Sequence, residues 1–260
     1  MSTTSNTSLK GKVAIVTGGS KGIGAAATLH LISLGANVVF SYSSDTASAS
    51  ALETKIKSEF PSPEAGLPRA IGFKGDSSSI TDIDALVDQT LKVYHHIDIV
   101  VANAGIMTLQ DLAHTTEEIY DRHMNVNVKG PLFLAQRVAP HLPAGGRIIF
   151  LSTSLIASST VAPPYLIYLT TKGAIEQMVR VLAKDLAKGE ITVNGVAPGP
   201  TATDMFFNGK SEAMLEMFKK SMPMGRFGTP EEISNVIGWL AGDSSRWVSG
   251  QIIRANGAMA

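Results

Sequence analysis

The sequence predicts a single α/β domain built on a doubly wound parallel sheet of about seven strands. Short β-branched and apolar runs alternate with helix-length stretches along the 260 residues. The runs are predominantly apolar, as strands must be when crossover helices bury both faces of a parallel sheet. The first run passes through a glycine-rich turn into an alanine-rich segment, the strand-turn-helix opening of a nucleotide-binding βαβ unit. With 44% apolar and 17% charged residues, the chain is long enough for one large core.

In order, Val13 to Thr17, Asn37 to Ser41, Ala70 to Gly75, Ile97 to Ala102, Arg147 to Ser152, Thr192 to Ala197 and Gln251 to Ala255 read as strands. Helices are expected to begin near Gly22, Ala47, Ile80, Thr116, Tyr165 and Pro230. The last is announced by Thr229-Pro230-Glu231-Glu232: threonine caps, proline takes the first turn and acids meet the helix dipole. Pro61 to Pro68 carries Pro61, Pro63 and Pro68 and reads as a surface loop. Residues 1–10, rich in Ser and Thr without the features of a secretory leader, read as a flexible tail, leaving 11–260 as the domain.

Composition narrows the function. Lys plus Arg equals Asp plus Glu at 22 each, so no net field recommends nucleic acid or an anionic membrane as partner. Cysteine is absent, which excludes disulfides, thiolate metal sites and thiol nucleophiles. The six histidines show no helical His-x-x-x-His spacing, so no metal is expected, and no Gly-x-Ser-x-Gly elbow marks a serine hydrolase. The apolar runs are too short to span a bilayer, and a cytoplasmic protein is expected.

The glycine turn is Thr17-Gly18-Gly19-Ser20-Lys21-Gly22-Ile23-Gly24, followed by Ala25-Ala26-Ala27. Glycines let backbone approach a pyrophosphate without Cβ interference, and a helix amino-terminus offers free amides and positive dipole charge to receive it. This makes the fold Rossmann-like, although the spacing differs from Gly-x-Gly-x-x-Gly. Later in the chain, Tyr168 and Lys172 lie four residues apart, one face of a helix, where an ammonium can tune a phenol as proton donor. Tyr-x-x-x-Lys alone is weak, because the spacing is common by chance.

The turn resembles the Thr-Gly-x-x-x-Gly-x-Gly of the short-chain dehydrogenase/reductase family. The likeness continues in the family's order with Asp76 after the third strand, Asn103-Ala104-Gly105 after the fourth, and Asn127 in Val126-Asn127-Val128-Lys129-Gly130. Tyr168 with Lys172, Pro198-Gly199 after the sixth strand, and Gly250-Gln251 before the seventh complete it. By this resemblance Tyr168 is the acid/base, Lys172 holds the nicotinamide ribose, and Asn127 bonds a water that extends a proton path; Asn125 is structural. A hydroxyl donor at the end of the fifth strand is also implied. Counting forward from Arg147 selects Thr153, while counting back from Tyr168 selects Ser154. Ser154 is preferred because serine is the family's residue; Ser152 is third.

The resemblance implies a nicotinamide dinucleotide held by Gly18, Ser20, Lys21, Gly22, Ile23 and Gly24 in the turn, Asp76 and Ser77 at the adenine, and Asn103, Ala104 and Gly105 at the inner ribose. Pro198, Gly199 and Thr203 are implied at the carboxamide side. In Phe40-Ser41-Tyr42-Ser43-Ser44, Tyr42 stands where NAD-preferring members carry an acid, and Asp45 falls too late. Lys21 can meet a 2′-phosphate as a point charge, with Ser43 and Ser44 as donors, so NADPH/NADP is the expected cofactor. A lid is expected at about 203–226, where Met205, Phe206, Phe207, Met214, Met217, Phe218, Met222 and Met224 suit a hydrophobic or aromatic ketone or aldehyde, with Tyr165 and Leu155 to Ile156 as pocket wall. The pattern is nearest to β-ketoacyl reductases and polyhydroxynaphthalene-type reductases, and implies an NADPH-dependent carbonyl reductase acting as a homotetramer. The competing readings are an NAD-dependent alcohol dehydrogenase of the same family and a non-catalytic cofactor-sensing regulator.

Overall fold

The computed structural model describes residues 8–62 and 67–260; most of the tail expected at 1–10, and positions 63–66 of the proline loop, lie outside the described residues. The elements in chain order are β1 (Val13–Val16), α1 (Gly22–Ser33), β2 (Asn37–Tyr42), α2 (Thr46–Glu59), β3 (Ala70–Lys74), α3 (Ile80–Tyr94) and β4 (Ile99–Ala102). They continue with α4 (Glu117–Met124), α5 (Gly130–Val138), β5 (Arg147–Leu151), α6 (Leu166–Asp185), β6 (Thr192–Pro198), α7 (Asp204–Phe207), α8 (Glu212–Ser221), α9 (Pro230–Ala241) and β7 (Ile252–Ala255). Short 3₁₀ turns link several of them, including one at Ser154–Ala157.

All seven strands form one parallel sheet in the order β3-β2-β1-β4-β5-β6-β7. The chain winds from β1 out to β3, returns to β4 beside β1, and winds the other way, which is the doubly wound, Rossmann-like topology expected from the apolar strands. Successive strand residues serve opposite faces. Ala14 and Val16 join α1, α2 and α9 through Leu31, Leu52, Ile56, Ile237 and Leu240. Val13 and Ile15 join α3, α5 and α6 through Leu86, Val87, Val138, Ile175 and Val179. With both faces covered, a polar site can open only at the strand ends, and the reversal of winding between β1 and β4 leaves the crevice there.

The strands fall within two residues of their expected bounds, and α9 begins at the expected Thr229 cap, whose Oγ1 takes the Glu232 amide while the Glu232 carboxylate accepts the Thr229 amide. Among the described residues no helix is long and apolar enough to cross a membrane. The helix expected near Thr116 is interrupted by a π turn at Asn125–Lys129 before α5. Pro131 explains the break: it has no amide to give the carbonyl of Asn127, so the ladder skips a residue and Gly130 N–H bonds the Asn125 carbonyl instead.

Candidate active site

At the carboxyl ends of β1, β4, β5 and β6 lies a cavity of about 330 Å³. One wall is the turn between β1 and α1, where Gly18, Lys21, Gly22, Ile23 and Gly24 face the space. Lys21 sits at the N-cap of α1 without a side-chain cap bond, and no acid occupies the first helical turn, so the leading amides are left for an anion. Gly24 must be glycine, since a Cβ there would fall 2.1 Å from the Gly18 carbonyl oxygen. Gly22, at φ +50°, faces Thr203 across the cavity mouth, where a Cβ would come to 3.2 Å of its Cγ2.

The turn is tied to β4. Asn103 Nδ2 donates to the carbonyls of Thr17 (2.9 Å) and Gly18 (3.1 Å), and Thr17 Oγ1 accepts the amides of Asn103 and Ala104, each at 3.1 Å. Asn103, Ala104 and Gly105 thus line the cavity as rigid backbone. Asp76 and Ser77 line a separate small recess with Ser41, Gly130 and Pro131, which meets the main cavity only at Ala104. The Asp76 carboxylate accepts the Ser78 amide and hydroxyl, each at 2.8 Å. Pro198, Gly199 and Thr203 close the far side with Pro200 and Thr201.

Opposite the turn, α6 presents Tyr168 and Lys172. Lys172 is 6% exposed, and its Nζ donates to the Leu151 carbonyl at 2.7 Å. Burial draws this amine down to about 8. Burial likewise pushes the Tyr168 phenol up to about 12, against the weaker downward pull of the polar Thr153 side chain. The ammonium lies 5.8 Å from the Tyr168 ring centre. In the chain without a cofactor, burial thus holds Tyr168 as the neutral acid.

The two candidate hydroxyl donors separate cleanly. Thr153 is still extended (φ −154°, ψ 141°), and it lines the cavity together with Tyr168; its Oγ1 accepts the Leu155 amide at 3.4 Å and its own proton is not committed to a strand. Ser154 begins the 3₁₀ turn, is fully buried, and gives its hydroxyl to the Ala197 carbonyl at 2.7 Å. The preference for Ser154 is corrected on this ground: its proton is committed to β6 and it does not reach the cavity. Ser152 lines the cavity but donates to Glu176 Oε1 at 2.9 Å.

Asn127, fully buried in the π turn, bonds both backbone groups of Ile106: its Oδ1 accepts the amide (2.8 Å), and its Nδ2 donates to the carbonyl (2.9 Å) and to Thr171 Oγ1 (3.1 Å). A Cβ on Gly105 would lie 3.3 Å from Asn127 Oδ1 and 3.6 Å from Lys172 Nζ, so both polar ends crowd against the same glycine.

Ser20, Tyr42, Ser43 and Ser44 do not line the cavity. Lys21 does, but its ammonium is paired with Asp45, the residue that sequence register set aside. Asp45 also caps α2, its Oδ1 accepting the Ser48 amide. Of the expected lid, Met205 and Phe206 of α7 line the cavity, whereas Met214, Met217 and Met224 are exposed elsewhere. Leu155 and Tyr165 form wall as expected; Ile156 does not. Met107 and Met259, unforeseen from sequence, complete the apolar side.

The donor set fits a dinucleotide: an uncapped helix start, a turn too tight for side chains, and a rigid polar shelf at β4. A family model described as enoyl-(acyl carrier protein) reductase matches residues 18–259. An NADPH-dependent aldehyde reductase 2 of Arabidopsis thaliana chloroplasts is 40% identical over 261 residues, 96% of this chain and 94% of that one. A probable tetrahydroxynaphthalene reductase of Zymoseptoria tritici is 37% identical over 261 residues, 96% and 95% of the two chains. Among solved structures, a short-chain dehydrogenase of Burkholderia cenocepacia in complex with NADP superposes with a TM-score of 0.88 at 31% identity, covering 96% of this chain and 98% of that one.

Proposed function

The chain belongs to the short-chain dehydrogenase/reductase family, and on that premise we propose that it is an NADPH-dependent carbonyl reductase converting a ketone or aldehyde to an alcohol. The observation that carries the reading is Tyr168 on the cavity wall facing the glycine turn, sharing that wall with Thr153 and with the Lys172 ammonium 5.8 Å from its ring centre. The NADPH named for the aldehyde reductase relative and the NADP of the solved neighbour support the cofactor.

The cofactor, when bound, supplies the hydride that goes to the carbonyl carbon. Gly18, Gly22, Ile23 and Gly24 would hold its pyrophosphate, Asn103, Ala104 and Gly105 its inner ribose, Asp76 and Ser77 its adenine, and Pro198, Gly199 and Thr203 its carboxamide; Lys21, with Ser43 and Ser44, would take the 2′-phosphate. Thr153 Oγ1 donates to the carbonyl oxygen and orients it. Tyr168 passes its phenolic proton to that oxygen as negative charge develops there, and burial keeps the proton on Tyr168 until then. Lys172, an ammonium at neutral pH with a value of about 8, steadies the phenolate left behind. Asn127, held by Ile106 and Thr171, stands beside Lys172 on the path by which a proton from solvent returns.

Met107, Leu155, Tyr165, Met205, Phe206 and Met259 make the substrate side apolar, which supports a hydrophobic or aromatic carbonyl compound and a lid formed by α7. Exposed Leu132 on α5 and Leu166 and Val181 on α6 support assembly as a homotetramer, with the cytoplasm as the proposed location. Turnover of a panel of aromatic and aliphatic ketones and aldehydes with NADPH and with NADH tests the reading. Tyr168→Phe should lower turnover about 10³-fold with NADPH binding retained. Wild-type turnover in that variant, or a clear preference for NADH, overturns it.

A further inference from the structure

Lys21 is the only base in the glycine turn, and the proposed preference for a phosphorylated ribose rests on it. Its ammonium is not free. Asp45 Oδ2 pairs with it, while Asp45 Oδ1 accepts the Ser48 amide at 2.9 Å, and Ser48 Oγ donates to Oδ2 at 3.0 Å. The carboxylate is therefore fixed from one side by the start of α2 and from the other by the turn. Asp204, on the far rim of the cavity, adds a second negative field at Lys21. The end of β2 lies against the turn, with the Gly19 amide bonded to the Ser41 carbonyl at 2.9 Å. This puts Asp45 at the corner where a dinucleotide fold reads its adenine ribose.

Capping alone does not account for Asp45. Asparagine or serine would accept the same amide from α2 equally well, so helix formation does not require the charge. The charge acts on Lys21, and the Lys21 pair together with the Ser48 bonds holds the carboxyl down at about 2, ionised at any physiological pH. As an exposed ion pair it contributes little to stability. Its weight lies in recognition: a 2′-phosphate can reach Lys21 only by displacing, or approaching, a carboxylate bound to the same ammonium.

We propose that Asp45 is a specificity-determining residue that restrains the chain's preference for the phosphorylated cofactor, leaving NADH a competent ligand beside NADPH. The inference rests on the nicotinamide-dependent reading above. Repulsion between a carboxylate and a phosphate sharing one ammonium corresponds to about a tenfold change in affinity even at the dielectric of water. The wild-type protein should accordingly favour NADPH over NADH by less than about tenfold in equilibrium binding.

The test is calorimetric titration of NADPH and of NADH into the full chain without carbonyl substrate, for wild type, Asp45→Asn and Asp45→Ser. Both substitutions keep the cap of α2, and thermal denaturation checks that each folds. Tightening of NADPH by about tenfold, with NADH changed by less than about twofold, is the expected result. Adding Lys21→Ala to Asp45→Asn should abolish the gain. Equal shifts for the two cofactors, or no shift in either, overturn the inference while leaving the nucleotide site intact. Failure of wild type to bind either cofactor overturns the functional reading, and this inference with it.

Discussion

Replacing Lys172 with methionine should make the protein more stable and inactive at once. Lys172 is an amine with 6% of its surface exposed, and burial takes its titration from 10.5 to about 8. At 1.36 kcal/mol per pH unit, holding it charged in the folded protein at pH 7 costs roughly 3 kcal/mol. Methionine fills a similar volume without charge, but forfeits the 2.7 Å bond to the Leu151 carbonyl, a loss of about 1 kcal/mol. A net gain of about 2 kcal/mol is expected at pH 7. The sign over pH follows from the lowered value. Between pH 8 and 10.5 the unfolded wild-type chain holds the extra proton, so wild-type stability climbs through that window while the variant's does not. The variant's advantage is full below pH 8 and gone above 10.5. Loss of the Tyr168 proton at higher pH affects both proteins and cancels. Urea denaturation followed by tryptophan fluorescence at pH 7, 9 and 10.5, alongside turnover, measures this. A less stable variant at pH 7, or an advantage that persists unchanged to pH 10.5, refutes the view that Lys172 is kept for chemistry at the expense of stability.

Thr153→Val, which keeps the branched shape and removes the hydroxyl, should cut kcat about 10²-fold with little effect on thermal stability. Ser154→Ala should do the reverse, losing about 1 kcal/mol with the bond to Ala197 and leaving kcat within a few fold; the opposite ranking would restore Ser154 as the donor. Gly24→Ala forces a Cβ to 2.1 Å from the Gly18 carbonyl. A loss of about 2–3 kcal/mol and a Tm lower by roughly 5–10 °C should follow, and an unchanged Tm would mean that the turn is more yielding than its geometry indicates.

The sheet was legible because a strand buried on both faces is apolar along nearly all its length, and Val13 to Val16 or Ile148 to Leu151 leave few other readings. The glycine turn and the Tyr168 and Lys172 pair were legible because their chemistry tolerates few substitutes. The choice between Thr153 and Ser154 was not, because it depends on where β5 stops and a 3₁₀ turn swings the next residue against β6, a matter of one residue in a loop. Asp45 was set aside because it falls past the position of the expected acid; its partner Lys21 comes from another strand-helix junction, and only folding brings them together. The methionines between 203 and 226 were read by composition; the helical phase of α8 then turned Met214 and Met217 outward.

The crossing from β1 to β4 has a consequence for how the protein comes into being. Asn103 reaches back 86 residues to Thr17, Ser154 reaches forward 43 residues to Ala197, and Met259 comes to the cavity from the opposite end of the chain. Contacts of such sequence separation form slowly, since long loops must close before any contact compensates their lost entropy. No contiguous fragment contains both walls of the cavity. During synthesis the glycine turn therefore emerges long before anything it could cooperate with, and competence should arrive abruptly, when the last strands dock, rather than accumulate with chain length.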